Sequence, residues 1–409
     1  MLQKEKILSY IESNKPTIWG LFLSSLIPAY AINNILLIVV SIFFLITIFI
    51  KKRIYLNKST LPFIVLFGWG ILSYFWSTYP IQTLSTYPKT IGFLIIPLAI
   101  NQYKQFSIKE LNKTISIFSY SLILYFFISL TYATYIFLQK KSIHVFFYHD
   151  LVTIFENNAI YIALFTSICL LIKFNIPSKS KIDNLIISIL YVYLILLSSK
   201  NLLITTTILL LFSILYQKKN IFLKKIYIIP FLIIGGIIAF INNPIKQRFL
   251  DEATLNFNQI FYGQDFTNFE FTGSNLRLFQ WRIVYEMVYN NQLGFLGNGL
   301  GNIDYLTEQY FHYYNLYKGY FIINFHNEFL QIYGELGVIG LLILIYIFSL
   351  SLYKSIKTKN VYLFVITVIL ILSFFTESYL NRQKGLIIFT TIICLLLMTN
   401  IKNKMTSTK

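Results

Sequence analysis

Charge is scarce in this chain: Asp, Glu, Lys and Arg make up 12% of its 409 residues, about half of what a soluble protein carries. Cysteine is scarcer still. Cys169 and Cys394 both sit inside apolar runs, which excludes a disulfide framework and a thiolate metal site. Acidic residues number 16 against 34 Lys and Arg, a net charge of +18, yet the basic residues are scattered through short segments between hydrophobic runs. They form no patch or stripe suited to nucleic acid, and no nucleic-acid partner is expected. Internal repeats, heptads and a signal-peptide cleavage site are also missing, so the N-terminus is expected to be retained.

What remains is apolar sequence, 56% of the chain. A membrane-spanning helix needs roughly 17–25 such residues. Runs of suitable length fall at about 17–31, 34–50, 60–77, 88–101, 115–138, 158–173, 184–199, 201–217, 225–242, 329–353, 360–379 and 385–401. The expected fold is therefore an all-α polytopic integral membrane protein of about 12 transmembrane helices, with a large helical loop between spans 9 and 10. Its parts are spans 1–9 over residues 1–242, a cap loop over 243–328, and spans 10–12 with a tail over 329–409.

The cations orient this array. Of the 34 Lys and Arg, 23 lie on the side of the termini, including Lys51, Lys52, Arg53, Lys218, Lys219 and Lys354. The positive-inside rule puts that side in the cytoplasm and the long loop outside. All four histidines (His144, His149, His312, His326) and 12 of the 16 acidic residues belong to outward segments. Chemistry is expected on the outer face.

Residues 243–328 exceed the length of an ordinary structureless loop, which predicts an ordered cap with helices of its own. From Asn275 to Asn290, Leu276, Phe279, Ile283, Val284, Met287 and Val288 recur at helical spacing, with Ser274 or Asn275 as N-cap, an amphipathic helix near the interface. Gly294, Gly297, Gly299 and Gly301 follow, either a phosphate-cradling loop or a flexible turn. Tyr313, Tyr314, Tyr317 and Tyr320 form either a sugar-stacking surface or an interfacial aromatic belt. His326 stands at the start of the tenth span, where a helix N-terminus attracts anions and an imidazole can act as general base. Glu335 lies more than two turns inside that apolar helix, a costly position that marks a partner or a function. Gly334, Gly337 and Gly340 make a small-residue stripe for close packing of another helix.

At these residues the chain resembles the O-antigen ligase/polymerase family of bacterial membrane glycosyltransferases. His326, Asn327 and Leu330 match a His-Asn-x-x-Leu motif, and Glu335, Gly337, Gly340 and Leu341 match Glu-x-Gly-x-x-Gly-Leu. Trp76-Ser77 with Pro80 resembles the family's Trp-Ser-x-x-Pro turn, and Ser274 to Trp281 its Ser-x-x-Arg-x-x-x-Trp stretch. The resemblance implies transfer of a glycan from an undecaprenyl-diphosphate carrier to an acceptor, at the periplasmic face of the bacterial inner membrane, without cofactor, nucleotide or metal. It implies His326 as the base and Arg277, Arg282 and Lys200 as diphosphate ligands, with Asn327, Glu335, Trp281 and Gly337 in supporting or structural roles. Lys200 stands where the family often carries the Arg of Ser-Arg-Gly, a point charge in place of a planar fork.

The expected reaction is O-antigen ligation onto lipid A-core oligosaccharide. A polymerase of the same fold and a protein O-oligosaccharyltransferase are the alternatives within the family, since acceptor choice depends on a variable cap. A membrane transporter is the alternative from another class. Transporters carry repeat symmetry and charged mid-membrane helices; this sequence shows no such symmetry, and apart from Glu335 and Glu377, an acidic residue near the end of a span, its ionisable residues avoid mid-depth.

Overall fold

A computed structural model describes residues 2–177, 179–216, 246–247, 250, 254–320 and 324–400. The ninth expected span at 225–242, the first residues of the expected cap and the tail beyond 400 lie outside them.

The protein is almost entirely helical. Its longer helices are α1 (Leu2–Ser24), α2 (Tyr30–Lys51), α3 (Leu61–Leu72), α4 (Pro80–Thr90), α5 (Gly92–Asn101), α6 (Ile108–Lys140), α7 (Ala159–Asn175), α8 (Lys181–Leu196), α9 (Lys200–Tyr216), α10 (Gly273–Tyr289), α11 (Ile303–Tyr313), α12 (Glu328–Thr358), α13 (Val361–Phe374) and α14 (Gln383–Leu397). Among the described residues, four helical stretches are long and apolar enough to cross a membrane: Tyr30–Lys51, Pro80–Asn101, Ile108–Lys140 and Glu328–Thr358. Shorter apolar helices accompany them, as in an all-α membrane protein. Among the described residues there is one strand pair, Phe106–Ser107 with Thr399–Asn400, which ties the start of α6 to the end of α14.

Two expected boundaries differ. The run 17–31 is not one helix: α1 ends at Ser24 and α2 begins at Tyr30. Between them Ser25 Oγ donates to Phe22 O and accepts from Asn33 Nδ2, and Pro28 follows, closing a turn. The run 88–101 begins earlier, as α4 and α5 meet at Ile91.

Side-chain spacing sorts the helices by depth. On α2, Ile35, Ile38, Ile42, Leu45 and Phe49 recur at intervals of three and four and are exposed, the pattern of a lipid-facing side. Helix α7 is buried nearly all round and packs against α6, α8, α9 and α13, so it runs through the centre of the bundle. Lys173 near its end is buried but not bare. Its ammonium donates to Asn112 Oδ1 at 2.7 Å and to Asp183 Oδ1 at 2.8 Å.

The expected cap has a core of its own. Phe266, Phe279, Ile283, Met287, Ile303, Phe311, Tyr314 and Phe325 form a buried cluster separate from that of the bundle. Thr272, not Ser274 or Asn275, caps α10, its hydroxyl accepting from Asn275 N. Asn275 is instead buried and donates to Thr254 O at 3.2 Å.

Cap and bundle meet where α12 breaks. Gly337 has φ 66° and ψ −164° inside that helix, a conformation open essentially to glycine. The glycine-rich loop enters the break: Val338 N donates to Phe295 O, Asn298 N to Gly334 O and Gly299 N to Glu335 O, each at 2.9 Å. A β-carbon at Gly297 would lie 2.5 Å from Glu335 O and Gly337 N, and one at Gly337 would collide with Phe295 O. The glycine run is thus neither a phosphate cradle nor a flexible turn. It is a docked backbone, and the neighbour admitted by Gly337 is this loop, not another helix.

Gly337→Ala is expected to cost about 2 kcal/mol or more. Gly68→Ala, in open space on α3, should leave stability unchanged or improved by up to about 1 kcal/mol. Thermal unfolding in detergent distinguishes the two, and equal midpoints for both variants contradict the docking account.

Candidate active site

The turn that follows α13, residues 375–382, carries more cross-connections than its length suggests. Asn201 at the start of α9 donates to Leu372 O at 3.0 Å and to Thr376 Oγ1 at 2.7 Å. Arg277 Nε on α10 donates to Thr376 O at 2.9 Å. Glu328 at the start of α12 accepts from Leu380 N at 2.6 Å, and Asn327 N donates to Ser378 Oγ at 3.2 Å. Three helix ends that are far apart in sequence are thereby held at one place.

Asn327 is the N-cap of α12, its side-chain oxygen accepting from Phe329 N at 3.0 Å and Leu330 N at 3.1 Å. That cap fixes the preceding residue. His326 has φ 46°, the left-handed region that a residue with a β-carbon adopts at a cost, and Asn324 Oδ1 accepts from its backbone N–H at 3.0 Å. Strain of this kind collects at functional sites. Nδ1 of His326 lies 3.2 Å from each carboxylate oxygen of Glu377. An ionised carboxylate can only accept, so this contact favours the hydrogen on Nδ1, and a neutral imidazole in that tautomer has its lone pair on Nε2. The imidazole is 23% exposed and the carboxylate 7%, a buried acid behind a reachable ring.

Glu377 also lines a cavity of about 210 Å³ whose walls include Lys200, Arg277, Ser199, Tyr148 and Tyr379. Lys200 opens α9, so its ammonium and the first N–H groups of that helix stand at the same end. Arg277 is fixed at the wall by its bonds to Thr376 O and, at 3.2 Å from Nη1, to Gly273 O. Carbonyls leave its positive charge uncancelled. The arrangement can receive an anion beside an imidazole base.

Residues 185–345 match the family model described as O-antigen ligase. The match spans less than half of the chain and supports an O-antigen ligase/polymerase assignment for that segment. The matched segment contains Lys200, Arg277 and His326 and supports an enzyme of ligase or polymerase type in a membrane. No curated protein matches the chain.

Within the O-antigen ligase segment, Arg282 departs from expectation. It is buried in the cap, where its guanidinium donates to Ile260 O, Gly263 O and Tyr314 Oη at 2.8 Å each and to Glu286 Oε1 at 2.7 Å. One helical turn and a bit separates it from Arg277, which turns the two side chains to different sides of α10. Burial, with the Glu286 carboxylate beside it, pushes the Tyr314 hydroxyl up to about 12, so this knot stays protonated at Tyr314 through the physiological range. Arg282 is therefore a structural residue of the cap and not part of the cation pair at the cavity.

The other expected residues divide as follows. Glu335 is buried and accepts from Gln331 Nε2 at 2.7 Å, away from His326. Trp281 is exposed on α10. Tyr314 belongs to the cap core, Tyr320 packs against Phe271, and Tyr313 and Tyr317 are exposed, so the four tyrosines form no single surface. Glu377 lies outside the matched segment and was noted in sequence only as an acidic residue near the end of a span. Its signal was that of Glu335: a carboxylate in an apolar run needs a reason.

Arg282→Lys is expected to destabilise the cap by about 2 kcal/mol, because one ammonium cannot reach four acceptors arranged around a fork. Arg277→Lys should leave the unfolding midpoint nearly unchanged. A reversed order in thermal unfolding removes the structural assignment of Arg282.

Proposed function

We propose that this protein is an O-antigen ligase, transferring a polysaccharide from undecaprenyl diphosphate to lipid A-core oligosaccharide at the periplasmic face of the inner membrane, with both termini cytoplasmic. The observation that carries the reading is the His326–Glu377 pair, with Glu377 itself in the wall of a cavity that also presents Lys200 and Arg277. An imidazole paired to a carboxylate that shares a cavity wall with two cations suits attack by a hydroxyl on a carbon whose leaving group is a diphosphate.

The step uses these groups in order. Nε2 of His326 takes the proton of the acceptor hydroxyl as its oxygen bonds to the anomeric carbon. The bond from that carbon to the diphosphate oxygen breaks, and its electron pair leaves with undecaprenyl diphosphate. Arg277, Lys200 and the N-terminus of α9 offset the charge that appears there. Glu377 holds the imidazole in the required tautomer and stabilises the imidazolium that forms. Each group has a chemical task, and none requires a metal.

In reconstituted membranes, His326→Ala should lower transfer by about 10²-fold or more while carrier-linked donor still binds. Glu377→Gln should lower kcat at nearly unchanged KM. Arg277→Ala should instead raise the KM for donor, with partial rescue by Arg277→Lys. Lys200→Arg should retain activity that Lys200→Ala loses, and equal activity in both would remove Lys200 from the phosphate site. In cells, loss of a ligase leaves long carrier-linked glycan. Single repeat units on the core would sink the ligase reading in favour of a polymerase.

A further inference from the structure

The exposed side of α10 is not used by the transfer chemistry. Arg277, Trp281, Tyr285 and Tyr289 recur every fourth residue, and the three aromatics are exposed, Tyr285 at 70% and Tyr289 at 77%. Phe279, Ile283 and Met287 on the other side fill the cap core, so these rings are left outside by the packing of their own helix. Each four-residue step advances about 6 Å and overshoots a full turn by about 40°. The stripe therefore winds from Arg277 in the cavity wall to Tyr289 about 18 Å along the helix. The Tyr285 and Tyr289 rings are 6.4 Å apart and inclined by only 21°, so they present nearly parallel faces.

Composition separates this stripe from the lipid-facing side of α2. From Ile35 to Phe49 the exposed positions of α2 are Ile, Leu and Phe, without a polar side-chain atom, whereas each ring on α10 combines an apolar face with an N–H or O–H at its rim. Val288 is the one exposed aliphatic on α10. A pyranose has the complementary build, with C–H groups on one face and hydroxyls around its edge. The stripe also starts at a residue already placed at the cavity, so a chain whose end lies there has this surface in front of it.

We propose that Trp281, Tyr285 and Tyr289 form a track on which successive sugars of the carrier-linked polysaccharide stack while its diphosphate end lies at Arg277. This inference rests on the transfer reading and extends it: the enzyme reads the length of its donor through rings outside the reacting centre.

The test compares wild type with two triple variants in proteoliposomes, using undecaprenyl-diphosphate donors of one repeat unit and of many. Trp281→Leu/Tyr285→Leu/Tyr289→Leu keeps apolar area but removes the flat faces, while Trp281→Phe/Tyr285→Phe/Tyr289→Phe keeps the faces. The leucine variant is expected to lose about tenfold in kcat/KM on the long donor relative to the short one, through KM. The phenylalanine variant should stay close to wild type. If the leucine variant keeps the wild-type preference, the stripe is a membrane contact and the track is wrong. Equal losses on both donors contradict it as well. Should wild type transfer neither donor, the transfer reading falls and the track falls with it, an outcome distinct from failure of the track alone.

Discussion

A bundle with little access to water must satisfy its buried polar groups from within, and here that constraint converges on the turn at 375–382. Its carbonyls, hydroxyls and amides receive or give hydrogen bonds to Asn201, Arg277, Asn327 and Glu328, which lie at the ends of three other helices. None of these bonds is catalytic. Together they bring Lys200, Arg277 and the His326–Glu377 pair to one region, because each candidate residue sits within one position of a residue tied to the turn or is itself tied to it.

A second joint carries the cap on the bundle. Trp69 Nε1 donates to Leu336 O and Trp76 Nε1 to Leu296 O, both at 2.9 Å, bracketing the break of α12 at Gly337 and the loop that enters it. Thr78 N donates to Asn298 O at 2.9 Å and Asn302 Nδ2 to Ser77 Oγ at 2.7 Å. The Trp-Ser turn, the glycine run and the Glu-x-Gly segment, three separate patterns in the sequence, are thus one contact in space. Its consequence is positional: α12 runs from this joint to the N-cap at Asn327, so the joint sets where His326 is presented.

The helices were legible because an apolar period survives any arrangement of neighbours. His326, Arg277 and Lys200 stood out in the sequence as residue types at helix ends expected to face outward. Arg282 was not, since interleaved arginines on an amphipathic helix look alike until the packing shows which one points inward to Glu286 and Tyr314. Glu377 was missed for a related reason. Its partner is 51 residues away, and spacing along a chain carries no information about a contact made by a turn between spans. The glycine run was read as a loop with freedom, whereas positive φ at Gly297, Gly299 and Gly301 serves close backbone approach, a requirement of the partner and not of the loop itself.

On the proposed reading, imidazole, carboxylate and cations serve a single displacement, with the cap's architecture left to choose what enters. The most direct test is reconstitution of the purified protein in vesicles with a radiolabelled polysaccharide on undecaprenyl diphosphate and lipid A-core as acceptor. The account predicts that label appears on the acceptor in step with release of undecaprenyl diphosphate, and that no metal need be added. Uptake of solute without label transfer, or label that stays on the carrier while the acceptor is present, would contradict it.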